Sequence, residues 1–87
     1  MYEPYPEIDI KATGLNILNL LKERGISIRT LQENLGFTDV RAIYKWAEGR
    51  SLPSLDNLVG LSVILRVPMD DILVLKPCPK ESLWVKQ

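Results

Sequence analysis

Histidine is absent from the 87-residue chain and cysteine occurs once, at Cys78. Without imidazole the chain lacks the usual general base of Ser/His or Cys/His catalysis and a principal ligand of zinc sites. Cys78 stands between two prolines with no CxxC partner and cannot close an internal disulfide, so it is read as incidental. The carboxylates are scattered, and neither a GxGxxG nor a GxxxxGK-Ser/Thr phosphate cradle is present. These absences exclude the commonest catalytic constellations, and a protein that is not an enzyme and needs no cofactor is expected.

Long apolar runs are missing too. None approaches the roughly 18 to 20 residues of a membrane span, and Met1-Tyr2-Glu3-Pro4 lacks the basic-then-apolar order of a signal peptide. A cytoplasmic location with no membrane partner is therefore expected. Net charge is zero, which gives no overall basic excess to attract phosphates. The charges are unevenly spread, however: Lys22, Arg24, Arg29, Arg41, Lys45 and Arg50 lie in the centre against Glu23, Glu33, Asp39 and Glu48, which makes the centre mildly basic.

What the chain does have is an ordinary globular composition, 46% hydrophobic and 25% charged, at a length that suits one small domain. Residues 1–9, with Pro4 and Pro6, read as an N-terminal arm; 10–75 read as an all-α domain and 76–87 as a C-terminal tail. Asp9 is a good N-cap for a first helix reaching Arg24, with Leu15, Ile17, Leu18 and Leu21 as its apolar stripe and Gly25 as its stop. Ser27 caps a second helix carrying Ile28, Leu31 and Leu35 on one face and ending at Gly36. Phe37 is expected to plug the core, Thr38 to cap a third helix over about 39–48, and Val40, Ile43 and Ala47 to form that helix's buried stripe. Ser54 follows as the cap of a fourth helix with Leu55, Leu58, Leu61 and Leu65, which Pro68 closes; Met69 to Leu73 add one or two turns. Five short-linked helices make a compact bundle.

The informative feature is a pair of short helices joined by Gly36-Phe37-Thr38, because a tight glycine-bearing turn sets a second helix out at a steep angle. Around it stand Gly25-Ile26-Ser27, Leu31-Gln32, Leu35-Gly36-Phe37-Thr38, Ile43-Tyr44-Lys45-Trp46-Ala47-Glu48-Gly49-Arg50 and Leu52-Pro53-Ser54. In residues 10 to 75 these ordered landmarks resemble the phage-repressor, or Xre-like, helix-turn-helix family. The resemblance implies a five-helix lambda-repressor-like domain that binds double-stranded DNA as a bacterial transcriptional regulator, with its third helix in the major groove. Two departures stand out. Four residues, Asp39 to Ala42, separate Thr38 from Ile43 where the family commonly has three, and Ile28 occupies a position where many relatives carry glutamine.

If the third helix enters a groove, Arg41, Tyr44 and Lys45 are the base-facing or groove-edge candidates, with Thr38 near the start of the helix and Asp39 a conceivable acceptor for cytosine. Ser27, Arg29 and Arg50 flank that surface and suit phosphate. Each has a plainer reading: Arg41 and Lys45 as a solvated stripe, Asp39 as a cap, Tyr44 as an internal hydrogen-bonding residue, and Trp46 as cover for the core edge. A homodimer is expected, because two modules provide matched half-sites about one helical turn apart. The arm and the apolar Leu83-Trp84-Val85 tail are its candidate contacts. The rival is an antitoxin-like or other protein-interaction module on the same fold, favoured by the zero net charge and the longer turn.

Overall fold

The computed structural model describes residues 7–76, so the tyrosines of the arm, Cys78 and the Leu83-Trp84-Val85 tail lie outside the described residues. Five helices follow in chain order: α1 (Ile10–Arg24), α2 (Ile28–Leu35), α3 (Arg41–Ala47), α4 (Leu55–Leu65) and α5 (Met69–Ile72). The expected all-α architecture is present, and no described helix is long and apolar enough to cross a membrane.

Local chemistry accounts for most of the ends. Asp9, Ser27 and Ser54 each accept the backbone N–H three residues on, which satisfies donors that the first helical turn leaves orphaned. Gly25 and Gly36 follow α1 and α2 in the left-handed region at φ 69° and 77°, where a side chain is disfavoured, and their N–H groups return to carbonyls of the last turn. α4 ends differently, on Arg66 at φ 59°, before the chain reaches Pro68. The Arg24 guanidinium donates to the Leu65 carbonyl at 2.7 Å, so this member of the basic centre serves the fold by capping α4.

One core holds the bundle together. Ile17, Leu21, Leu31, Ile43, Trp46, Leu58, Leu61, Leu65 and Ile72 are buried in it, with Phe37, Leu35 and Ile28 packed partly exposed against it. Full burial of such side chains is worth about 1.5 to 3 kcal/mol each. Five expected stripe residues are not in it. Leu18, Val40 and Ala47 are only partly buried, and α3 buries Ile43 and Trp46 in place of the expected Val40, Ile43 and Ala47 stripe because Val40 lies before its first turn. Two more are exposed. Leu15 is 59% exposed and Leu55 79% exposed. In α1 the buried face runs instead through Thr13, Gly14, Ile17 and Leu21. A search for large apolar residues misses it, because the contact with α3 requires a small one: a Cβ on Gly14 would overlap the Trp46 carbonyl oxygen and lie 3.0 Å from its carbon.

Polar groups on the same helix tie down the end of the domain. The wholly buried Thr13 hydroxyl accepts the Val74 N–H at 2.9 Å, and Asn16 Nδ2 donates to the Asp71 and Ile72 carbonyls at 2.7 and 3.0 Å. Residues 7–9 run beside this segment: Ile8 forms an isolated antiparallel bridge with Leu75, Asp9 N–H donates to Val74 O, and Lys76 pairs with Glu7.

Candidate nucleic-acid interface

The segment between α2 and α3 is longer than the Gly36-Phe37-Thr38 turn expected from the sequence. Thr38, Asp39 and Val40 form bends, and α3 begins only at Arg41 and ends at Ala47, shorter than the 39–48 expected. Thr38 does not cap it. Val40 occupies the N-cap position with no side-chain bond, while Asp39 Oδ1 accepts the Arg41 N–H at 2.9 Å. The N-cap thus stands two positions beyond Thr38, which lengthens the turn and shortens the helix at its start.

Two contacts hold this longer turn in place. Phe37 packs edge-to-face on Trp46, with ring centroids 5.9 Å apart at 69°, so the turn is fastened to the buried side of α3. Gln32 Nε2 donates to the Phe37 carbonyl at 3.0 Å. This glutamine stands one helical turn beyond Ile28, where relatives of the sequence pattern place theirs, and it braces the turn from inside α2. Sequence reasoning quoted Gln32 only as a landmark, with no role, and passed over Gly14.

With Ile43 and Trp46 buried, α3 turns Arg41, Tyr44 and Lys45 outward. Tyr44 is the ridge between two adjacent open depressions. One, of about 430 Å³, is bordered by Ile28, Arg29, Gln32, Thr38, Asp39, Val40 and Tyr44. The other, of about 210 Å³, is bordered by Arg41, Tyr44, Lys45, Glu48 and Arg50. Seven of the eight candidate residues therefore share one surface made by α2, the turn and α3. Ser27 borders neither depression, and its hydroxyl is engaged with the N–H and hydroxyl of Thr30.

This surface sets four cationic side chains, Arg29, Arg41, Lys45 and Arg50, against the carboxylates of Asp39 and Glu48. Asp39 lies 3.5 Å from Arg41 Nε, and Glu48 lies 3.2 Å from Arg50 Nη1. All four of these side chains are at least half exposed, so each pair is worth at most about 1 kcal/mol and exchanges readily for a stronger anion. Among the described residues Arg29 and Lys45 pair with no carboxylate. No group of metal-ligating side chains occurs among the described residues.

A helix-turn-helix family model matches residues 17–72, spanning the two helices, the turn and the core around them. The chain belongs to the Xre-like helix-turn-helix family. Solved structures agree with that membership in fold. The restriction-modification controller protein C.AhdI from Aeromonas hydrophila matches with a TM-score of 0.66 at 23% identity, over 74% of this chain and 96% of that one. The clp gene regulator ClgR from C. glutamicum matches with a TM-score of 0.64 at 20% identity, over 80% and 86%. A Bacteroides fragilis protein matches with a TM-score of 0.57 at 28% identity, over 83% and 100%. No curated protein matches the chain. The helix-turn-helix assignment makes α2 the supporting helix and α3 the exposed one of the pair.

Proposed function

We propose that this helix-turn-helix protein is a sequence-specific transcriptional regulator, acting as a repressor, that binds a short double-stranded DNA site as a homodimer and reads the major groove with α3. The observation that carries the reading is the division of α3 into two faces. Ile43 and Trp46 are locked in the core, which leaves Arg41, Tyr44 and Lys45 free to meet base edges. Arginine suits guanine O6 and N7, and Lys45, Arg29 and Arg50 suit the flanking phosphates. Asp39 is a helix cap first, and Ser27 contributes position more than contact. No catalytic step belongs to this function.

The carboxylates of Asp39 and Glu48 within the surface favour the second reading, a protein-interaction module, over a purely electrostatic DNA binder. Salt separates the two, because phosphate binding weakens steeply as counterions compete and an apolar partner interface does not. The test is selection of bound duplexes from a random pool by the full chain at low salt. Recovery of a motif with two half-sites supports the regulator; recovery of no motif favours the interaction module.

A further inference from the structure

Asp39 engages one neighbour twice, and that neighbour is the arginine proposed to meet a base. Its Oδ1 accepts the Arg41 N–H at 2.9 Å, and its Oδ2 lies 3.5 Å from Arg41 Nε. The first contact supplies the cap bond that Val40 does not make, so the carboxylate is fixed in the bend before α3, at the end from which recognition helices reach base edges. The second meets the guanidinium at the nitrogen nearest the chain. The Arg41 side chain is 86% exposed, and among the described residues no other carboxylate pairs with it. A side chain so free samples many rotamers; a fixed carboxylate beside Nε narrows them and leaves the terminal Nη1 and Nη2 as a fork for two acceptors. Glu48 is placed differently. It approaches Arg50 at the terminal Nη1, 3.2 Å away, and so competes for the fork that a phosphate would take.

We infer that Asp39 is a specificity-determining residue that works with Arg41, and that the two together read a single G·C base pair; this rests on the DNA-reading function proposed above. The donor and acceptor order carries the inference. Across the major groove a G·C pair presents the N7 and O6 acceptors of guanine and then the N4 amino donor of cytosine. Arg41 brings two donors for the guanine. Asp39 brings an acceptor beside them, because a carboxylate has about four lone-pair positions and the cap bond and the Nε contact leave others open. An A·T pair sets the O4 acceptor of thymine where cytosine has its amino group, and a carboxylate repels it. Asp39 therefore acts in two ways, steadying the guanidinium that binds guanine and rejecting a pair with no donor opposite it. The carboxylate also repels phosphate, so it lowers affinity for unrelated sequences as it sharpens the choice of base.

The experiment is selection of duplexes from a random pool by the full chain, followed by competition anisotropy with the recovered duplex and its single-pair variants. Arg41→Ala is expected to lower the preference for one G·C pair by about 5- to 150-fold. Asp39→Asn and Asp39→Ser are expected to lower the preference at that same pair at least about threefold, with binding to an unrelated duplex held or raised. In the Arg41→Ala background the effect of Asp39→Asn is expected to be at least about twofold smaller, because the carboxylate acts partly through the guanidinium. Glu48→Gln is the contrast: it is expected to tighten binding to all duplexes alike and to leave the motif unchanged. Asparagine and serine both keep an oxygen that can accept the Arg41 N–H, and circular-dichroism melts check folding of each variant. Wild-type preference at that pair in the folded Asp39 variants, an undiminished Asp39→Asn effect without Arg41, or a motif in which no pair depends on Arg41 overturns the inference and leaves DNA binding intact. A wild-type selection that yields no motif removes the DNA reading and the inference together.

Discussion

Gly14 offers the sharpest test of how α3 is held. In an isolated helix, replacing an interior glycine by alanine stabilises by about 1 kcal/mol, because alanine has less backbone freedom to lose. At Gly14 the new Cβ would overlap the Trp46 carbonyl oxygen and lie 3.0 Å from its carbon and 3.1 Å from the Ala47 oxygen. These are backbone atoms of α3, so relief requires α1 and α3 to part. Overpacking of this kind costs about 1 to 3 kcal/mol, and a rigid backbone obstacle puts Gly14→Ala at or above the upper end of that range. After the propensity gain, a net loss of about 2 kcal/mol or more is expected, or a melting temperature lower by at least roughly 8 to 16 °C in a domain of this size. Gly60→Ala is the matched control: its Cβ would meet only the Leu35 Cδ2 methyl at 2.9 Å, at the end of a flexible side chain, and it should be neutral or stabilising by up to about 1 kcal/mol. Urea titration followed by circular dichroism, with thermal melts alongside, measures both. A Gly14→Ala chain as stable as Gly60→Ala would refute the close approach of α1 and α3.

Three further outcomes are expected. Leu31→Ala, Ile43→Ala and Leu61→Ala should each cost about 2 to 5 kcal/mol in urea titration, since all three side chains are almost wholly buried in one core; no change at any of them would mean that the core is misassigned. Thr13→Val keeps the shape but strands the Val74 N–H, so a loss of about 1 to 3 kcal/mol is expected, with increased hydrogen exchange at Val74; equal stability would show that the bond contributes nothing net. Arg41→Ala with Lys45→Ala should leave the melt nearly unchanged, because both side chains point to solvent, while DNA affinity measured by anisotropy falls by about 1 to 3 kcal/mol for the arginine alone and its salt dependence flattens with the lysine. Unchanged affinity in the folded double variant would sink the α3 reading.

Much of the candidate surface was legible because it depends on short-range chemistry. Asp9, Ser27 and Ser54 were visible as caps, and Gly25 and Gly36 as stops, since each acts within three or four residues. The α3 surface was legible too: Ile43 and Trp46 lie three apart, which leaves Arg41, Tyr44 and Lys45 on the other side of the helix. The start of α3 was not. Thr38, Asp39 and Val40 all lie close enough to cap it, and in the fold Val40 takes the N-cap position while Asp39 supplies the side-chain bond to the Arg41 N–H.

Composition, spacing and local hydrogen bonding determined, without tertiary information, that this chain forms five short helices around one core and presents a helix-turn-helix pair. Tertiary structure decided which face each helix buries. Periodicity identifies an apolar stripe but carries no knowledge of its neighbour, so Leu15 looked like core and Gly14 like a weak point in a helix. Likewise, nothing in the order of residues shows that Arg24 completes the end of α4, or that Leu55, Val59 and Val63 are left outside. Those outcomes depend on what lies within a few ångströms across the fold, and contacts between residues distant in sequence arise only when the helices pack.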